Sequence, residues 1–195
     1  MTPPRFLVMA QPPWVVREAC QRVVHDLGLN ALLQGAMFDP VNWHQTLSDR
    51  FYDRSQIEPL RCACARVRAQ ACTLTLNRIR GDGGPEAFHW AFHALGRPPG
   101  FSRLLEAVKQ ALAAERLDTL HGHRPHITIS YWAPLALRTH KIRPIPWTID
   151  EILLVEGHRV GDHDEHYRYD VIDRWPLLPL DPARQLDLFD GDQRG

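Results

Sequence analysis

The tetrapeptide His-x-Thr-aliphatic occurs twice, as His44-Gln45-Thr46-Leu47 and His126-Ile127-Thr128-Ile129. In an extended strand successive side chains alternate faces, so His and Thr two apart share one face and the residues between and after them take the other. Each copy therefore reads as a polar pair on an apolar mount. Imidazole carries protons near neutral pH, and a neighbouring hydroxyl donates a hydrogen bond to an oxyanion. Two copies suggest two proton transfers at one centre.

The count alone is weak evidence. With eleven His and eight Thr in the chain, random order yields about half a His-x-Thr match, and two or more roughly one time in ten. Context strengthens it, since both copies sit in strand-like segments and each follows a predicted amphipathic helix in its own half.

A chain of 195 residues, 44% hydrophobic and 24% charged, is long enough to bury a full core in one domain or two joined lobes. The longest apolar runs fall far short of the roughly 18 residues of a membrane span, and residues 1–10 are too short an apolar patch for a secretory leader. The expectation is a cytoplasmic protein with no membrane partner, monomeric. Cys20, Cys62, Cys64 and Cys72 form no Cys-x-x-Cys pair and read as buried free thiols. Net charge is zero overall, but residues 150–195 carry twelve acidic and five basic side chains. The first 149 residues are therefore basic enough to receive an anion.

Periodicity predicts a strand over 5–9 and a helix after Pro12-Pro13, its stripe running from Val15 and Val16 to Leu27, with Gly28 as C-terminal cap. A strand over 42–48 carries the first motif, and Ser55 caps a helix with Ile57, Leu60, Cys64 and Val67 on one side. Residues 71–79 and 87–94 alternate around Gly81-Asp82-Gly83-Gly84, a predicted hairpin. The clearest helix covers 102–117, and a polar turn at 121–125 delivers the second motif strand. Residues 148–157 and 167–175 read as strands joined by a turn at 161–164.

Two His-x-Thr-aliphatic motifs about eighty residues apart in such a chain, together with Ile149-Asp150-Glu151-Ile152-Leu153-Leu154-Val155, Tyr167-Arg168-Tyr169-Asp170-Val171 and Trp175-Pro176-Leu177, resemble the 2H phosphoesterase superfamily. The nearest likeness is to its 2′-5′ RNA ligase-like, or RNA 2′,3′-cyclic phosphodiesterase, branch. The resemblance implies an α+β fold of two pseudo-symmetric lobes of antiparallel sheet with helices outside and an active-site cleft between them, spanning 1–178, with 179–195 as a loose acidic tail. It also implies an RNA end or cyclic nucleotide as substrate, no metal or other cofactor, His44 as general acid, His126 as general base, and Thr46 and Thr128 as donors to the phosphorane. The branch usually carries an Arg two residues after the second motif, where this chain has Ser130-Tyr131. The expected replacements for its charge are Arg50, Arg124 or Arg138, and Tyr131 or Trp132 is placed to stack on a base.

Competing readings exist for each feature. A single strand-borne His more often satisfies a buried polar contact, so the case rests on the pair. A metal site at His158, His163 and His166 with Asp162 and Asp164, or at His121 and His123, matches no standard zinc spacing. The run Arg50, Arg54, Arg61, Arg66, Arg68, Arg78, Arg80 reads as a solvated face rather than an RNA track. In the tail, Gln185-Leu186-Asp187-Leu188-Phe189 resembles the pentapeptide with which bacterial replication and repair proteins engage the sliding clamp, with apolar anchors at Leu186, Leu188 and Phe189. A clamp-associated accessory protein is thus the second functional expectation, and a short element docking back on the domain is the plain alternative for the tail.

Overall fold

The computed structural model describes residues 4–84, 87–117, 123–160 and 166–180. In chain order the elements are β1 (Arg5–Ala10), α1 (Trp14–Asp26), α2 (Leu29–Leu33), β2 (Gln45–Thr46), α3 (Ile57–Arg66), β3 (Cys72–Gly84), β4 (Ala87–Ala94), α4 (Pro99–Ala114), β5 (His126–Ala133), β6 (His140–Ile149), β7 (Glu151–Val160) and β8 (His166–Pro176). They form two four-stranded antiparallel sheets, ordered β2-β1-β7-β8 and β5-β4-β3-β6. Each sheet carries one motif, as the two-lobed expectation requires. The lobes are not successive halves of the chain, however, because β1 pairs with β7 and the middle of the chain builds the second sheet alone.

Burial explains this arrangement. Alternate residues of β1 and β7, namely Phe6, Val8, Ala10, Ile152 and Leu154, join the main core, while Leu7, Met9, Leu153 and Val155 form a small cluster with Tyr169 on the other face. A strand apolar on both faces belongs inside a sheet. In the other sheet Leu74, Leu76, Ile79, Trp90, Phe92, Ile127, Ile129, Ile145 and Trp147 face the core, where Phe101, Leu104, Leu105, Val108 and Leu112 of α4 cover them. Trp43, Trp90 and Trp147 are fully buried, and truncating any one to Ala costs about 3–5 kcal/mol.

Several local expectations need correction. In α1 only Val16, Cys20 and Val24 are buried, and Val15 is 64% exposed. The expected C-terminal cap does hold, since Gly28, at φ +65° where a side chain would be strained, follows the C-cap residue Leu27 and leads into α2. Asp53 rather than Ser55 caps the turn before α3, with Gln56 completing a capping box. The first motif strand shrinks to Gln45–Thr46, and His44 lies just outside it. Glycines 81, 83 and 84 are not a turn but pair with β4 as the end of β3. Gly81 is needed there because a Cβ would stand 2.9 Å from the Leu137 amide nitrogen. The strand expected at 148–157 is two strands that break at Asp150, and β6 was not expected at all.

One irregularity positions the site. Between Leu76 and Arg78 the register of β3 slips against both neighbours. A bulge of this kind switches which alternate residues face the core: Cys72, Leu74 and Leu76 are buried before it and Ile79 after it. Arg78 and Arg80 thereby face outward, on the face that β5 uses for His126 and Thr128.

Candidate active site

The two histidines are held in the same way. His44 Nδ1 lies 2.7 Å from the Asn42 carbonyl oxygen, and His126 Nδ1 lies 2.7 Å from that of Arg124, each two residues upstream. A carbonyl accepts only, so each ring donates from Nδ1 and is left with Nε2 for proton transfer. The His44 ring also meets the Tyr169 ring edge-on at 4.8 Å. Among the described residues neither the Thr46 nor the Thr128 hydroxyl has a hydrogen-bond partner, so both are available to a ligand.

Gln45 joins the two motifs. Its side chain is fully buried. Its Oε1 accepts from the His126 backbone N–H at 2.7 Å, and its Nε2 donates to the Thr46 carbonyl at 2.8 Å. One amide thus clamps the start of β5 to the edge of the opposite sheet. The Phe38 N–H adds a second tie by donating to the Ile129 carbonyl at 2.8 Å. Sequence reasoning took position 45 as part of an apolar mount. The available signal was that glutamine in such a slot, once buried, must find partners.

Burial sets the charge state of His44. Burial, more than any other influence, pushes His44 from its ordinary 6.5 down to about 4, with His126 and Arg50 lowering it further and the Asn42 carbonyl opposing. His44 is therefore neutral at pH 7. His93, directly opposite His126 in the ladder, stacks on it with ring centroids 6.0 Å apart. Burial first, then Arg80, His126 and Arg78, push His93 to about 4 as well, against the pull of Asp82.

Of the expected binding residues, Arg50 is close enough to His44 to depress its pKa, and Arg124 lines a pocket beside His126. Tyr131 is wedged edge-on between Phe38 and His89, at 5.1 and 5.2 Å, whereas Trp132 is 69% exposed. Arg138 lies in the loop between β5 and β6, outside that pocket. The arginine run divides. Arg54 pairs with Glu156, Arg61 with Glu58 and Arg66 with Glu115, as a solvated face should, but Arg78 and Arg80 line the pocket. Three of the four thiols are buried; Cys62 is exposed.

Of the metal alternative, His158 meets Asp170 at 3.6 Å, while His121, Asp162, His163 and Asp164 lie outside the described residues, as does the 185–189 pentapeptide. Among the described residues no helix is long and apolar enough to cross a membrane.

Two four-stranded antiparallel sheets with helices, one carrying His44 and Thr46 at its β2 edge and the other His126 and Thr128 on β5, define an α+β fold. Known structures share this fold. LigT from E. coli in apo form matches with a TM-score of 0.70 at 20% identity, over 90% of this chain and 98% of that one. A protein described only as a phosphoesterase matches at 0.66 and 20%, over 90% and 99%. The protein TT0787 of Thermus thermophilus matches at 0.67 and 19%, over 91% and 100%. LigT has also been crystallised with 3′-AMP. No family model and no curated protein matches the sequence. The fold is therefore the LigT-like one that the 2H phosphoesterase resemblance implies.

Proposed function

We propose that the chain is a phosphoesterase that opens 2′,3′-cyclic phosphodiester ends of RNA or nucleotides by paired imidazole acid–base catalysis. The observation that carries this reading is the matched anchoring of His44 and His126, whose Nδ1 atoms are each fixed on the carbonyl two residues upstream and whose motifs are clamped together by Gln45. The LigT-like fold and the nucleotide bound to LigT support it.

In the step, a water oxygen attacks phosphorus while His126 Nε2 takes the water proton. The bond from phosphorus to one ribose oxygen breaks, and that oxygen takes a proton from His44 Nε2. Thr46 and Thr128 donate hydrogen bonds to the phosphorane oxygens, where charge builds. The product is a monoester, and the resting state returns when His126 releases its proton to solvent and His44 takes one from it. Because burial leaves His44 neutral at pH 7, its acid role requires the phosphate anion of the substrate to raise its pKa, as an opposite charge at contact distance does. With a 5′-hydroxyl in place of water, the same groups open the cyclic phosphate into a 2′-5′ linkage, and the 3′-oxygen leaves with the proton from His44.

The test compares a cyclic nucleotide with a nucleotide ester whose aryl leaving group departs without a proton. Loss of the acid is then partly forgiven and loss of the base is not. His44→Ala is expected to lose at least tenfold less on the aryl ester than on the cyclic substrate, and His126→Ala to lose equally on both. The opposite pattern swaps the two roles, and a wild-type protein inert toward cyclic ends refutes the reading.

The pentapeptide Gln185-Leu186-Asp187-Leu188-Phe189 favours a second reading that is compatible with the first, an accessory protein that docks on a bacterial sliding clamp. Deleting residues 184–195 should abolish clamp binding measured by surface plasmon resonance and leave hydrolysis of small substrates intact. Undiminished clamp binding after the deletion contradicts it.

A further inference from the structure

Beside the second motif the sheet face carries charge that hydrolysis of a mononucleotide does not use. Ladder register sets Arg78 opposite His93 and His93 opposite His126, with Arg80, Ala91 and Thr128 forming the adjacent row. Lys141 of β6 extends the first row beyond Arg78. Arg78, Arg80, His93, Arg97 and Arg124 line a pocket of about 300 Å³. Asp82 meets Arg80 at 3.1 Å, but among the described residues Arg78, Arg97 and Arg124 have no carboxylate within ion-pair distance. The His93 Nε2 atom is buried, lies 3.6 Å from an Asp82 oxygen, and has no hydrogen-bond partner among the described residues.

A pocket walled by like charges repels itself until an anion enters, and guanidinium groups match phosphate oxygens in pairs. An orphaned buried imidazole nitrogen likewise asks for a partner. Arg78 stands two strand spacings, about 10 Å, from His126. That separation suits a different phosphate on the same chain better than the one undergoing reaction.

We propose that this pocket is a second phosphate subsite, which holds the phosphodiester next to the reacting end and makes the preferred substrate an oligonucleotide. The inference rests on the phosphodiesterase reading for the identity of the reacting end. It accounts for the bulge in β3, without which Arg78 and Arg80 would face the core.

The experiment measures kcat/KM for a 2′,3′-cyclic mononucleotide and for a dinucleotide with a 2′,3′-cyclic end, using the wild type and an Arg78→Gln/Arg97→Gln double variant. The dinucleotide is expected to be preferred at least tenfold, and the double variant to lose most of that preference. The log–log salt dependence of kcat/KM for the dinucleotide should flatten by about 0.7, the value of one single-strand phosphate contact. A charge-matched Arg54→Gln/Arg66→Gln control keeps the preference. A preference unchanged in the double variant, or equal losses on both substrates, overturns the proposal. So does an equal gain from a 5′-phosphorylated cyclic mononucleotide, which would make the subsite a terminal-phosphate site. If the wild type hydrolyses neither substrate, the phosphodiesterase reading fails separately. The subsite is then read by fluorescence anisotropy with a labelled dinucleotide 3′-phosphate, which the double variant must bind at least tenfold more weakly.

Discussion

Replacing Gln45 with Leu keeps its volume and burial but removes the amide that clamps the two motifs. Two groups lose their partner, the His126 backbone N–H and the Thr46 carbonyl. A buried polar group left unpaired costs about 1–3 kcal/mol. Some solvent reaches the partly buried start of β5, so a total of about 2–4 kcal/mol is the reasonable figure. For a domain of this size 1 kcal/mol lowers Tm by about 2–4 °C, which predicts a fall of roughly 5–15 °C by circular dichroism. Activity should suffer by another route. The same hydrogen bond fixes where β5 begins and hence where His126 stands, and a displacement near 1 Å costs up to about a hundredfold. Turnover of a cyclic nucleotide at a temperature where the variant is fully folded should fall ten- to a hundredfold. Gln45→Glu retains the acceptor for the His126 amide but sets a buried carboxylate oxygen against the Thr46 carbonyl, so its Tm should fall at least as far as that of Gln45→Leu. A Gln45→Leu protein within 1 °C and twofold of wild type would show that the clamp is incidental.

Two other properties follow from burial. His44 and His93 both sit near 4 in the folded chain against about 6.5 unfolded, so the unfolded state binds their protons first as pH drops. The stability they protect is complete above about 6.5 and is lost as pH falls from there through 4, by up to about 3 kcal/mol for His44 and less for His93, whose surroundings are more solvated. Urea unfolding of His93→Asn should show a shallower pH dependence across that window than the wild type, and an identical slope would contradict the assignment. For the thiols, Cys20 and Cys64 are pushed up to about 12 and Cys72 to about 11 by burial, while Cys62 is exposed. A maleimide at neutral pH should label one site per native chain, located at Cys62 by mass spectrometry, and fast labelling of a second site would count against the packing described.

What could be read in the sequence was what depends on local pattern. Strand β5 and helix α4 announced themselves by period, and so did the inward faces of β3 and β4 on either side of their hairpin. What escaped was set by neighbours. Pro144 and Pro146 argue against a strand, yet β6 is an edge strand, where an absent N–H matters little. Gly81, Gly83 and Gly84 look like a turn, but the strand runs through them because the Leu137 backbone needs the space beside Gly81. The reach of β2 is short because, among the described residues, its ladder partner is the end of β1 alone. At the site the four motif residues were legible as a recurring pattern. Gln45, His93 and the outward turn of Arg78 and Arg80 were not, since each depends on register between strands distant in sequence. The acid role expected of His44 carries no hint in the sequence that burial lowers its pKa to about 4.

The account stands on His44 and His126 acting as one device on one phosphate. A double-mutant cycle on cyclic-nucleotide hydrolysis tests this directly, because groups that act as a unit give strongly non-additive losses. His44→Ala and His126→Ala should each lower kcat by at least a hundredfold while the circular dichroism spectrum is retained, and the double variant should be no more than about tenfold worse than either. Retained activity in either single variant, or a double loss equal to the product of the two single losses, would contradict it.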